Sequence, residues 1–565
     1  MSNYLTNNEA SGRATAKRRR KLWLASGVAG LTGVVSLAAV GVAGSAGAVP
    51  GLNWNTAQVS QDGDQRGDEG RDWDKDKDRD RDKDRDKDKD RDKDKDRDRD
   101  RDKDKDKDKE RGKEVPCDTD KLIQEIIFAN SRNGGVLELA KGCTYNLTRN
   151  DYEGNGLPVI TERITLKGDH TTISREATAD YFRILNVGSS GHLTIKGLTI
   201  KGGQTLELEN GVEPAAVWAA YSDSEALAAQ VKAGVPLNQA LTARQANPKA
   251  GLKAAPKVTP KAKPGVVTPL VEEPEENDGA GILVQPGGSA DILDSEVVLN
   301  QSGGNGGGVA NFGTTKISHS TVTRNTAFFF GGGIFNAGLL KVEDSKIKDN
   351  TAVIGGGGIS NGAAEIFTED VDGGTVEIRK SEISDNETLG FGGGLLDIEG
   401  NTTAYETKFV SNTAVLAGGG LAVADSQVNL HHVTVEKNST AGVGGGLAIA
   451  FDSAVTVEYG TIKDNTAGFF GGGVFNADST TTLRDSEVVG NRAVGPIGVG
   501  GGIFNIFGEV SLSKTKVAHN FSTFAPGGVF SFFGQVNVDD KSAITANRPT
   551  NCLAIPGGTI ENCFG

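Results

Sequence analysis

The chain has 565 residues, with 78 glycines, a single methionine and only 6% aromatic residues. Glycine this abundant, with so few large side chains, fits a narrow core better than a wide globular one. A formal net charge of −14, with no basic stripe along the glycine-rich half, argues against nucleic acid as a partner.

Residues 1–48 read as an export signal. A basic stretch, Lys17-Arg18-Arg19-Arg20-Lys21, precedes an apolar run from Leu22 to about Ala43, and Ala46-Gly47-Ala48 resembles a cleavage site. The run is long for a signal peptide, so an uncleaved anchor is the alternative, and the only contact with membrane that the sequence suggests. Residues 49–116 form a charged spacer, with alternating Arg/Lys–Asp pairs from Arg71 to Glu110. A segment with almost no apolar residues cannot bury a core and is expected to be disordered. It contains no Asp-x-Asp-x-Asp-Gly loop with the closing glutamate of an EF-hand.

Residues 117–205 predict the start of the fold. Asp118 or Thr119 caps an amphipathic helix carrying Leu122, Ile123, Ile126 and Ile127, which ends near Asn133-Gly134-Gly135. Short strand-like runs follow at Val136–Leu139, Ile164–Leu166, Thr172–Ile173, Arg183–Val187 and Leu193–Ile195. Residues 206–276, first Ala-rich and then Lys/Pro/Ala-rich, read as an inserted loop.

Residues 277–548 are a repeat array. A glycine triplet starts at Gly306, Gly331, Gly356, Gly392, Gly418, Gly444, Gly471 and Gly500, and an aliphatic residue always stands three positions later. An asparagine precedes nearly every triplet by six residues, at Asn300, Asn325, Asn350, Asn386, Asn412, Asn438, Asn465 and Asn520, while Asn491 lies nine before its own. The spacing is mostly 25–29 residues, and one longer copy predicts an extrusion over Glu365–Gly374. Three short alternating runs per period and no helical pattern point to one coil of a parallel β-helix, since a propeller blade needs about 40–45 residues. Stacked coils sit about 4.8 Å apart, so the asparagines would form a column of amides that bond one another and the turns. The fold class expected is all-β: a right-handed parallel β-helix solenoid behind an N-terminal capping helix and a disordered spacer.

Residues 549–565 complete the far end. The cysteines fall in two pairs, Cys117 with Cys143 and Cys552 with Cys563. With roughly ten coils or more between the ends, only these local pairings bring Cα atoms within about 7 Å. Two local disulfides suit an exported protein, and the spacing is wrong for a metal site.

Chemistry is sparse. The glycine triplets lack the Gly-Lys-Ser/Thr of a phosphate-binding loop. They also lack the aspartates of calcium-binding repeats. No cofactor or metal is expected. Asp397 replaces a recurrent asparagine (Asn311, Asn336, Asn361, Asn476 and Asn505), and Glu399 two residues on would share its face on a strand. These are the weak catalytic candidates, since carboxylate pairs serve polysaccharide cleavage. The residue before that asparagine is often apolar, as at Phe335, Phe475, Phe504 and Phe530. An outward column of these would be an exposed apolar binding stripe.

The Gly-Gly-Gly-Ile-Phe-Asn copies resemble the Gly-Gly-Ala-Ile and Phe-x-x-Asn repeats of the polymorphic outer membrane protein family, over about residues 277–548. The spacing differs, because here phenylalanine directly precedes asparagine. That resemblance implies an adhesin-like surface β-helix. The chain ends at Gly565 after a cysteine cap, where that family carries an autotransporter barrel, so self-transport is not expected. From Cys117 to Cys563 the chain looks more like secreted β-helix proteins of Gram-positive actinobacteria. The expected function is a non-enzymatic binding or adhesion scaffold, secreted or at the cell surface, whose partner is an extracellular protein or polysaccharide. The alternative is a lyase or glycosidase on the same fold.

Overall fold

The computed structural model describes residues 112–205, 274–363, 371–556 and 559–563. The export signal, nearly all of the spacer, most of the 206–276 insertion and residues 364–370 of the extrusion lie outside the described residues. The chain is a parallel β-solenoid.

Every pairing between its named strands is parallel. One coil shows how. After Val309–Asn311 the chain turns at Phe312-Gly313 and runs through Thr314–Ser318, Thr321–Thr323 and Thr326–Ala327 before reaching Gly331. The first strand joins a 12-stranded sheet, here called the glycine sheet. The next two join a bent 25-stranded sheet, the broad sheet, and the last a 9-stranded short sheet. The corners between strands are made by residues with left-handed backbone, His319 (φ 49°) and Arg324 (φ 53°) in this coil. Aspartate, histidine or lysine fills most such positions, and polar side chains bear that conformation better than β-branched ones.

Alternation decides what faces inward. In each five-residue strand of the broad sheet from Ser289–Leu293 onward the second and fourth side chains are buried, as in Leu339–Glu343. Leu340, Val342, Ile347 and Ile334 of one coil are at most 1% exposed. Their counterparts above and below stack on them in one continuous core. Burial of such side chains contributes roughly 1.5–3 kcal/mol each.

The asparagines sit at the corner before the short sheet, fully buried. Asn325 is typical. Its Nδ2 donates to Asn350 Oδ1 at 3.1 Å and to the Val297 carbonyl at 2.9 Å, while its backbone N–H donates to the same Asn350 Oδ1 at 3.0 Å. The pattern repeats from Asn300 to Asn547, through Asn386, Asn412, Asn438, Asn465, Asn491 and Asn520. Asn547 then donates to Asn551, four residues on. Each ladder amide before Asn547 is thus satisfied by the coils on both sides of it. A second ladder of hydroxyls, absent from the sequence reading, holds the neighbouring corner: Ser295 N–H donates to Ser320 Oγ, and Ser320 N–H to Ser345 Oγ.

Both ends are closed. Helix α1 (Thr119–Asn130) is capped by Asp118, whose carboxylate accepts from the Asp120 and Lys121 amides. It buries Leu122, Ile126 and Ala129 over the first coil. Asn130 clamps its end to that coil through the Val159 carbonyl and the Thr161 amide. Ile127, expected on the apolar face, is 54% exposed, so the buried stripe is narrower than the sequence suggests. Disulfides Cys117–Cys143 and Cys552–Cys563 hold the two ends, with Cα atoms 5.7 and 6.3 Å apart. At the insertion, the Thr205 hydroxyl donates to the Asn277 carbonyl, so the coil is closed across the gap. At the extrusion, Ala363 and Val371 exchange both backbone hydrogen bonds.

The expected exposed phenylalanine stripe is corrected by the structure. Phe335 is wholly buried, Phe475 and Phe504 are 7% and 6% exposed, and Phe530 is half-buried. They do point away from the inner core, but the chain just before each glycine triplet folds back over them. The first glycine makes that reversal possible: Gly331 has φ +69°, and a Cβ there would come within 2.4 Å of the Ile334 carbonyl. The overlying residues pair coil to coil, Phe330 with Gly355, Gly355 with Phe391 and Phe391 with Ala417. The result is a second apolar layer outside the glycine sheet. Phe335 packs there with Phe312, Phe328 and Phe330, and Phe504 is stacked among Phe470, Phe475 and Phe530.

Candidate functional site

Asp397 does not reach solvent. It is fully buried at the inner face of the glycine sheet, in line with Asn311, Asn336 and Asn361. The Asn361 amide donates to its Oδ1 at 2.9 Å. The Thr402 and Ser426 hydroxyls lie beside the carboxyl, yet neither meets Oδ2 with full hydrogen-bond geometry. Burial pushes its pKa up to about 6, against the pull of those neighbours. Glu399 is not its partner on a strand. The strand ends at Ile398, and Glu399 takes a left-handed corner, φ 51°, so alternation no longer holds there. The pair therefore cannot act as two carboxylates flanking a glycosidic bond, and a polymer has no route to Asp397.

The face that does meet solvent is the outer side of the first strands of the broad sheet. Its middle outward column changes character along the rod. After Val136, Thr165 and Thr194 it carries charge, at Asp291, Lys316, Lys341 and Glu377. From Thr403 onward it carries only short hydroxyl and amide side chains: Asn429, Thr456, Thr482, Ser511 and Asn537 follow in register. Each is half-buried or exposed.

Beside this polar row runs a wall. Arg379 lies over the Tyr405 ring at 5.4 Å, Tyr405 packs against His431 at a tilt with ring centroids 4.5 Å apart, and His432 stacks on Tyr459 at 4.9 Å. Glu458 and Arg484 continue it, joined by a 2.8 Å charge-assisted bond. The in-register column of the wall carries one such side chain per coil, Arg379, Tyr405, His431, Glu458 and Arg484, with His432 and Tyr459 at the adjoining corners.

Row and wall lead into a groove of about 970 Å³ at the C-terminal end. Thr482, Ser511 and Asn537 reach into it from the polar row, and Phe533, Ile555 and Ile560 give it an apolar side. The segment closed by Cys552–Cys563 supplies its far end, with Thr559, Ile560 and Glu561. Phe533 is 57% exposed and stacks on Phe507. Asp539, also lining the groove, is an anchor of its own turn. It accepts from the Ser513 and Ser542 hydroxyls and from the Lys514 and Lys541 amides, which hold its pKa down to about 2. Nothing in the sequence reading pointed to this face; the switch from charged to hydroxyl residues is visible only once the strands are in register.

Among the described residues no group of three or more histidine, cysteine or acidic side chains could hold a metal ion.

No family model matches this chain, and no curated protein does. Among solved structures it is similar to the A-module of the mannuronan C-5 epimerase of Azotobacter vinelandii, at 11% identity and a TM-score of 0.30, covering 78% of this chain and 96% of that one. It is also similar to PfbA, a surface adhesin of Streptococcus pneumoniae, at 9% identity and a TM-score of 0.31, covering 75% and 88%. A third is the tailspike of E. coli bacteriophage HK620 in complex with a pentasaccharide, at 12% identity and a TM-score of 0.29, covering 76% and 63%. Such likenesses leave the chemistry to be read from this chain's own residues.

Proposed function

We propose that the protein is an exported binding scaffold that holds an extracellular polysaccharide against the broad sheet. The observation that carries this reading is the unbroken row from Thr403 to Asn537, flanked by the Tyr405–His431 wall. A row of short donors and acceptors, repeated at the strand spacing of about 4.8 Å, suits a ligand that itself repeats hydroxyl groups along its length. The parallel rod keeps those groups in fixed register, so little ordering entropy is lost on the protein side when a polymer lies down. Two disulfides at the ends fit a life outside the cell. The polysaccharide-cleaving alternative has no site at Asp397, because that carboxyl faces the interior.

Retention of the purified full-length protein on insoluble cell-wall polysaccharide tests the reading. Thr456→Arg places a long cation across the row, at an outward position where the fold should be unaffected, and is expected to abolish retention. Retention unchanged in that variant, with the far-UV spectrum intact, would remove the broad sheet as the binding face.

A further inference from the structure

From the groove at the C-terminal cap we infer that the protein recognises the end of a linear, uncharged polysaccharide, lying along the rod axis with its terminal sugar in the groove. This rests on the reading of the broad sheet as the binding face and adds the polymer's class and direction.

The direction follows from the groove's place. The polar row is open along its length, but at its C-terminal end the cap segment lines the groove. Asn562 ties that segment down, its amide donating to the Val538 and Asp539 carbonyls. A polymer following the row meets the cap there, which favours a chain end over a chain interior.

The class follows from the lining. A pyranose ring has apolar faces of C–H groups and a rim of hydroxyls. The groove offers both complements: Phe533 and Ile555, 57% and 40% exposed, on one side and Thr482, Ser511 and Asn537 on the other. Exposed apolar side chains beside fixed polar groups are the usual make-up of a small-molecule site. Charge excludes an acidic sugar. Among the described residues the one cation lining the groove, Arg484, is bonded to Glu458, while Asp539 and Glu561 add two carboxylates. Asp539 stays ionised to about pH 2, so a uronate carboxylate would enter a negative field.

Titration calorimetry of the full-length protein tests this with hexasaccharides of cellulose, xylan and mannan, a cyclic glucan, and polygalacturonate. One or more of the neutral hexasaccharides should bind one to one, and the cyclic glucan and polygalacturonate should not. Phe533→Ala, at an exposed position, should weaken that binding by roughly tenfold or more, and Thr456→Arg should weaken it too. Neutral binding that survives Phe533→Ala but not Thr456→Arg overturns end recognition and leaves the binding face standing, as does binding of the cyclic glucan or polygalacturonate. Absence of binding to every probe, together with no retention on cell-wall polysaccharide, overturns both.

Discussion

Asp397 occupies a place that asparagine fills in several other coils, and burial there raises the pKa of its carboxyl. The sign of its effect on stability follows from linkage. The folded-state pKa, about 6, lies above the ordinary 3.8, so the unfolded chain gives up this proton first. Its contribution is fully present below about pH 4 and is lost as the pH rises through 6. Asp397→Asn should therefore stabilise the protein at pH 7 by roughly 1–3 kcal/mol, with no gain at pH 4. An asparagine there could donate to the Gly400 carbonyl, as Asn505 does to Gly508. Denaturant melts at the two pH values check this; an equal effect at both would contradict the raised pKa of the buried carboxyl. The ladder asparagines behave oppositely. Asn438→Ala strips the shared acceptor from the Asn412 amide and backbone N–H, and the donor from the Phe409 carbonyl. A loss of about 3 kcal/mol or more is expected, read as a lower denaturation midpoint.

At the level of the coil, the sequence shows the inner core and the amide column because both depend on strict local rules: alternation in a strand, and one polar residue that must find partners. The aliphatic residue after each triplet and the asparagine before it are legible for that reason. The outer layer is not legible in the same way. Phe335 alternates outward, and alternation alone assigns outward residues to water. What reverses the assignment is non-local: Gly331 turns the preceding segment back, and Phe328 to Phe330 of the same period come to rest on the sheet. A signal was present, since Phe469-Phe470 and Val353-Ile354 also precede triplets, but its meaning needs the left-handed glycine. Glu399 fails for a related reason, because a corner ends the strand one residue early. The phenylalanines are therefore structural. Phe504→Ser is expected to cost about 3–5 kcal/mol and to lower the melting temperature, whereas surface attachment lost with stability unchanged would return these residues to a binding role.

Over the whole molecule, order depends on neighbours only: each coil contacts the one before and the one after, as in other solenoids. Changes confined to one end should stay there. Cys563→Ser opens a loop whose cysteines are 11 residues apart, a release worth roughly 2–3 kcal/mol in the chain-entropy view. Hydrogen exchange should rise in residues 543–563 and remain unchanged before residue 500. Exchange rising along the full rod would show that the coils are more strongly coupled than pairwise contact implies. The insertion offers a second case at this scale. Thr205 and Asn277 already meet, so replacing residues 206–273 by a short glycine-serine bridge should leave the melting profile of the rod intact.

The side-chain amide of Asn547 finds its acceptor in Asn551, within the same loop, where every earlier rung looks to the next turn of the thread. That makes Asn551 a full stop. A shortened gene that drops whole periods from the middle should still give a sound, merely stubbier, product, because the closing punctuation survives. One cut off between periods ends mid-sentence, with an amide oxygen owed and never supplied, and its last exposed rung is the place where two such chains would try to finish each other.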